Sequence, residues 1–290
     1  MTPFPYAQVT VVSVSYNSMS VLPVMLASLP KGTPVVVVDN ASADVSALQD
    51  LCNEYGAQLI YNSENKGFGV ACNQGAAGAQ TEFLLFLNPD ATLKPDTLDQ
   101  LIAAARRYPL VSAMNPRIAR DDGKPLFHRR SRLMPVSEYM PKGWPDADRE
   151  VTVLVGSALF VRRVDFEAVG GFDPQIFLYH EDDDLSRRLR ATCGPIMFIR
   201  DAFVEHLAGK SSPPSLQTVA FKEYHKARSR VYTARKHHRG WPFATALIAA
   251  LLGLLAPDML TSARRRAKHW GAVKGVLSTW RDGGAGRGMR

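Results

Sequence analysis

The sequence predicts an α/β protein: a Rossmann-like, mostly parallel sheet with helices on both faces, plus a C-terminal helical appendage. Three observations predict it. Runs of β-branched and aliphatic residues alternate with stretches of helical periodicity across residues 9–115. The runs close on Ser, Asn and Asp, as strands do at the ligand-binding edge of such sheets. Beyond residue 212 the chain turns basic and helical around one apolar stretch.

The elements follow in order. Val9 to Ser15 reads as a buried central strand, Ser18 to Leu29 as a helix, and Val35 to Asp39 as a second buried strand. Ser42 or Asp44 caps a helix running to about Tyr55. Leu59 to Tyr61 is a third strand, Gly67 to Ala79 a glycine-led helix, and Phe83 to Leu87 a fourth strand. Lys94 to Tyr108 is helical and Val111 to Asn115 is a fifth strand. From Ala119 to Glu150 the pattern dissolves: Asp122-Gly123 marks a turn, and Pro125, Pro135, Pro141 and Pro145 forbid a long helix. Such an insertion is expected to be a lid or binding loop. Order resumes over Val151 to Val161, a short helix Val164 to Val169, a helix Glu181 to Thr192 and a strand Ile196 to Ile199. Gln217 to Arg239 is a basic helix, Trp241 to Ala256 is almost wholly apolar, Pro257 to Trp280 is basic and helical, and Gly283 to Arg290 is a frayed tail. The expected domains are 1–212 and 213–290.

With 290 residues, 46% hydrophobic and 21% charged, the composition excludes disorder for the bulk of the chain. Cys52, Cys72 and Cys193 show no paired spacing and read as reduced thiols. Met1 to Gln8 lacks the pattern of a secretory signal, so the expected location is cytoplasmic. The net charge of +8 is unevenly spread. Gly209 to Arg290 holds 16 Lys or Arg against three acids, a balance of +13 that leaves −5 for the rest. A basic C-terminal region seeks an anionic surface.

Two acidic clusters carry the chemistry: Asn88-Pro89-Asp90 at the end of the fourth strand, and Glu181-Asp182-Asp183-Asp184 opening a helix. One carboxylate with substrate phosphate oxygens is a common way to hold magnesium. A second carboxylate can accept a proton, and crowded like charges make one of them a better base. The acids at 181–184 also have a purely local reading, countering the helix dipole and pairing with Arg187 and Arg188. Other strand ends are polar too: Ser15-Tyr16-Asn17, Asp39-Asn40, and Asn62 to Lys66. A carboxylate at Asp39 can accept the ring N–H of a pyrimidine. Asn65-Lys66-Gly67-Phe68-Gly69 offers amides and a cation at a helix start, suited to a diphosphate. His206, followed by Gly209-Lys210-Ser211, either is structural or completes a metal site or diphosphate contact.

Taken together these segments resemble the inverting family 2 glycosyltransferases, especially rhamnosyltransferase-like bacterial members. The resemblance rests on Val14-Ser15-Tyr16-Asn17, Val38-Asp39-Asn40-Ala41-Ser42, Asn65 to Gly69 with Asn73, Leu87-Asn88-Pro89-Asp90, Gly156-Ser157-Ala158, and Gly170-Gly171-Phe172-Asp173 through Leu185. It implies a GT-A fold, a nucleotide-diphosphate sugar donor and a divalent cation, Mg2+ or Mn2+. It also implies that Asp39 reads the base, Asp90 ends the metal motif and Asp182 is the catalytic base. Asn88 stands where the family's motif usually begins with Asp, which leaves one carboxylate fewer.

The reading that follows is inverting transfer of a sugar, rhamnose first among candidates, to a hydroxyl of a glycan or lipid-linked acceptor. Asp182 with Glu181 is catalytic. Ser15, Tyr16, Asn17, Asp39, Asn40, Asn65, Lys66, Gly67, Asn88 and Asp90 bind donor, Gly156, Ser157 and Asp184 bind acceptor, and Asp90 with His206 holds metal. A sugar nucleotidyltransferase is the alternative, but its glycine-rich basic loop should follow the first strand, where Ser15-Tyr16-Asn17-Ser18 stands. A nucleic-acid-binding protein is the other, but no recognisable module interleaves Trp241, Trp270 or Trp280 with the basic residues, so no nucleic-acid partner is expected. Trp241 to Ala256 is 16 residues, short of the ~20 needed to span a bilayer. It is either a helix packed on the catalytic domain or a monotopic anchor, with Arg264, Arg265, Arg266, Lys268 and Lys274 meeting anionic headgroups on the cytoplasmic face.

Overall fold

The computed structural model describes residues 5–207 and 215–280. The sequence features at Gly209-Lys210-Ser211, the 212/213 boundary and the Gly283–Arg290 tail lie outside the described residues. The chain divides into two compact units, Met1–Pro174 with Asp182–Ser212, and Gln175–Glu181 with Pro213–Arg290.

The first unit runs β1 (Val9–Ser15), α1 (Leu22–Ala27), β2 (Val35–Asn40), α2 (Val45–Tyr55), β3 (Gln58–Asn62), α3 (Phe68–Ala76), β4 (Phe83–Leu87), β5 (Ala91–Leu93), α4 (Thr97–Arg107), β6 (Ala113–Arg120), β7 (Arg149–Val151), β8 (Ala158–Arg162), α5 (Arg163–Ala168), α6 (Glu181–Thr192) and β9 (Ile196–His206). One sheet has the order β3-β2-β1-β4-β8-β6-β9-β5, with β7 pairing β9. β3, β2, β1 and β4 are parallel, as the strand–helix rhythm requires. Beyond β4 the sheet is mixed, because β8 runs antiparallel to both β4 and β6.

The valine runs are buried on both faces. Val9, Val11, Val35 and Val37 point to α1, α2 and α4, while Val12, Val14, Val36 and Val38 share a core with α3 and α6. This is the period-two alternation of a strand read against two helical layers. Helix α3 lies very close to the sheet: a Cβ on Gly75 would sit 2.4 Å from Val12 Cγ1.

Several elements depart from the sequence reading. α1 begins only at Leu22, with a proline in its first turn. β6 continues to Arg120 past Pro116, where its register against β9 shifts. β9 runs unbroken from Ile196 to His206, well past the strand read over Ile196 to Ile199. β5 and β7, three residues each, are too short to show a period. The 119–150 insertion is pinned rather than loose. Trp144 donates to the Ile118 carbonyl, Arg187 to the Leu133 carbonyl, and Arg190 pairs with Glu138 at 2.8 Å.

The second unit holds α7 (Leu216–Lys236), α8 (Pro242–Leu254), α9 (Asp258–Thr261) and α10 (Ala263–Ser278). Ser215 and Ser262 cap α7 and α10 through their side-chain oxygens. α7 and α10 approach at glycines: a Cβ on Gly271 or Gly275 would lie 2.5 Å and 2.2 Å from the carbonyl oxygens of Ala220 and Tyr224. Val231, Ala246, Ala250, Val273 and Val276 form its core. Among the described residues, no helix is long and apolar enough to cross a membrane.

Candidate active site

Three parallel strand ends meet at one edge. Asn17 and Ala41 take positive φ, 56° and 69°, turning the chain sharply after β1 and β2. The turns are tied together: Asn17 N–H donates to Ser42 Oγ (2.8 Å), and Ala43 N–H donates to Asn17 Oδ1 (2.9 Å). Asp39 is wholly buried and accepts both the Ser42 amide and hydroxyl. Each of its oxygens keeps a second lone pair. Ser15 Oγ is buried without a hydrogen-bond partner, while Tyr16 is 43% exposed.

Asn40 is 2% exposed, and its side chain clamps the neighbouring loop. Its amide donates to Asn65 Oδ1 and the Gly67 carbonyl, and its oxygen accepts from Lys66 N–H and Asn62. Asn40 thereby holds the Asn65-Lys66-Gly67 loop, where Gly67 has φ 88°, at the start of α3.

The second cluster sits past β4. Asn88 to Ala91 is a tight turn closed by Ala91 N–H to the Asn88 carbonyl. The Asp90 carbonyl accepts Leu207 N–H, and β5 pairs with the end of β9, setting Ala91 opposite His206. His206 Nε2 then lies 3.1 Å from Asp90 Oδ1 and 3.3 Å from Asn88 Nδ2. Asp90 and His206 are buried, and His206 Nδ1 has no hydrogen-bond partner. A carboxylate oxygen and an imidazole nitrogen at this spacing suit Mg2+ or Mn2+, whose remaining positions diphosphate oxygens and water can fill. Among the described residues, no group of three His, Cys, Asp or Glu forms a complete cage.

Asp182 stands near the start of α6. Its Oδ2 accepts the Gly156 N–H at 3.2 Å and lies 3.6 Å from His128 Nδ1. Its side chain keeps 14% exposure. Gly156 and Ser157 are a bridge: the Ser157 carbonyl accepts Asn88 N–H at 2.9 Å. One turn therefore holds the Asp90 segment on one side and Asp182 on the other. Buried Asn115 fixes that turn, accepting Val155 N–H and donating to the Val155 and Ala158 carbonyls.

The residues expected at the acceptor have partners within the chain. The Asp184 side chain is fully buried and held by Arg188 Nε and Nη2 at 2.8 Å and 2.7 Å, the helix ion pair of the local reading. The Gly156 amide and the Ser157 carbonyl are committed to Asp182 and Asn88. Glu181 opens α6 one residue before Asp182, so its side chain leaves the helix about 100° around. His128 and Asn115 escaped the sequence reading. His128 lies in the irregular insertion, and Asn115 reads only as the end of a strand.

The sequence model of glycosyl transferase family 2 matches residues 10–170, more than half the chain. The chain belongs to glycosyltransferase family 2. It is similar to the N-acetylglucosaminyl-diphospho-decaprenol L-rhamnosyltransferase of Mycobacterium tuberculosis (29% identity, 89% of this chain and 95% of that protein). It is also similar to rhamnosyltransferase WbbL of Escherichia coli K12 (30% identity, 70% and 82%). Among solved structures, the mannosyltransferase PcManGT of Pyrobaculum calidifontis, in complex with GDP-Man and Mn2+, aligns with TM-score 0.58 at 18% identity, covering 94% and 87%. TarS residues 1–349 of S. aureus with UDP aligns with TM-score 0.56 at 17% identity, covering 95% and 92%. This family 2 protein is a glycosyltransferase enzyme with the GT-A-type fold, and family membership sets aside the nucleotidyltransferase and nucleic-acid-binding alternatives.

Proposed function

We propose that this enzyme transfers a sugar with inversion, rhamnose being the leading assignment, from a nucleotide-diphosphate sugar to a hydroxyl of a glycan or lipid-linked acceptor. Asp182 takes the acceptor proton as the hydroxyl oxygen bonds to the anomeric carbon and the bond to the leaving diphosphate breaks. Asp90 and His206 would hold a divalent cation, which supplies counter-charge to the departing diphosphate. The Lys66 ammonium adds further positive charge at the start of α3. Tyr16 and Asn17 flank the base, whose ring N–H is read by Asp39.

The observation that carries this reading is the shared turn. Asn88 and Asp182 both bind the Gly156-Ser157 backbone, so a proton acceptor is coupled to the segment bearing Asp90. Rhamnose is favoured because the named activity of both curated relatives is rhamnosyl transfer. The lipid-linked acceptor is favoured because one of them is named for a diphospho-decaprenol substrate. The enzyme then works in the cytoplasm, peripheral to the inner face of the cytoplasmic membrane, and the basic C-terminal region supports contact with an anionic membrane surface.

The test is a panel of nucleotide sugars with an acceptor, followed by NMR of the product. The reading requires an anomeric configuration opposite to the donor's. Retention of configuration would remove the single-displacement role of Asp182.

A further inference from the structure

Helix α8 is apolar on both faces. One face packs into the helical unit, with Ala246 at 4% and Ala250 at 8% exposure and Phe243, Leu247 and Leu254 packed against that core. The other face turns large aliphatics outward: Ile248 is 59% exposed, Leu252 61% and Leu255 79%. Leu251 continues the stripe, and Trp241 and Leu260 extend it beyond either end. A globular helix ordinarily turns charged and polar residues outward, and a contiguous exposed apolar face of this kind marks an interaction surface.

The charge around that face selects its occupant. Between Tyr224 and Trp280 the sequence holds eleven Lys or Arg and a single acid, Asp258. Arg264 and Arg265 are exposed at the start of α10, and Arg266 donates to the Met259 and Leu260 carbonyls, fastening α9 to it. A second copy of the chain would bring this basic region against itself. An anionic lipid surface would meet both the cations and the leucines. Thirteen residues make about 20 Å of helix, short of a hydrocarbon core of about 30 Å. α8 therefore fits the plane of the interface rather than its normal.

We propose that the outward stripe of α8, from Trp241 through Ile248, Leu252 and Leu255 to Leu260, is the surface that docks this enzyme on an anionic bilayer. The stripe enters the headgroup–acyl boundary and the arginines of α10 meet lipid phosphates. This rests on the reading of a lipid-linked acceptor, and names the part of the chain that reaches it.

The test is co-sedimentation of the full chain with vesicles of equal phosphatidylglycerol and phosphatidylcholine at low salt. The comparison is the triple variant Ile248→Asn, Leu252→Asn, Leu255→Asn. Wild type is expected in the pellet, with Trp emission shifted to the blue. The variant is expected to bind at least about tenfold more weakly while keeping its helical circular dichroism. Pure phosphatidylcholine vesicles or high salt should weaken wild-type binding comparably. Equal pelleting of wild type and variant would overturn the assignment of α8. So would a wild type that stays in the supernatant, or one that shows only a dimer abolished by the same substitutions. Transfer to a short water-soluble acceptor is measured alongside and is expected to be unchanged in the variant. Its absence in both proteins would count against the transferase reading, whereas normal transfer without vesicle binding would count against the docking surface alone.

Discussion

Asp182 and Asp184 show how much two positions on one helix can differ. Asp182 keeps its carboxylate at an accessible edge beside His128, whereas Asp184 is sealed against Arg188. Removing one member of a buried pair leaves the other uncompensated, typically costing about 3–5 kcal/mol. Asp184→Ala should therefore lower the melting temperature strongly, and the folded fraction should retain its acceptor KM. A raised acceptor KM with unchanged stability would restore Asp184 to the binding surface. Asp39→Ala should raise the donor KM more than it lowers kcat, since its contact is made equally in ground and transition states. It should also cost stability, because the Ser42 amide loses its partner. An effect on kcat alone would move Asp39 to the reacting centre. Burial, with the nearby Asp39 charge adding to it, pushes the Cys52 thiol up to about 11. At pH 8 only about one molecule in a thousand then carries its thiolate. A thiol reagent should modify the half-buried Cys193 first and reach Cys52 and Cys72 only on unfolding. Rapid native labelling of all three would refute that burial.

Elements were legible in proportion to their length and regularity. The β1, β2 and β4 runs, each sealed between two helical layers, announce themselves as unbroken apolar stretches. β5 and β7 could not, because three residues carry no period and exist only through pairing with β9. That omission matters for the site, since it is β5 that draws Asp90 beside His206. The polar strand ends and both acidic clusters were visible as residues. Their division of labour was not, because Asn40 looks in sequence like any ligand-facing amide, Asn115 reads only as a strand end, and it is their hydrogen-bond partners that mark them as clamps. In α7, burial, reinforced by the charge of Arg228, depresses the pKa of His225, which stacks on Phe177 at 4.1 Å. A histidine held neutral in the folded state contributes stability above its ordinary value near 6.5 and loses it as pH falls below that. The helical unit should therefore melt at lower temperature on going from pH 7 to pH 5, and His225→Leu should flatten that slope. A variant with the wild-type slope would assign the acid sensitivity elsewhere.

At the scale of the whole molecule, a GT-A-type unit carries the candidate site, and the proposed docking surface lies on the basic helical unit. Binding of a nucleotide-sugar donor should stabilise the fold by about 2.7 kcal/mol at a hundred times its Kd. Asp90→Ala should lose most of that gain, together with any stimulation by Mg2+ or Mn2+. Full wild-type activity in excess chelator would refute the cation assignment. The most direct measurement of the central claim is steady-state transfer by Asp182→Asn, with donor affinity determined on the same preparation. The amide nearly matches the carboxylate in shape but cannot take the acceptor proton. Donor Kd should stay near the wild-type value while kcat falls by about 10²–10⁴-fold. A kcat within a few-fold of wild type would contradict the account and move the base to another residue.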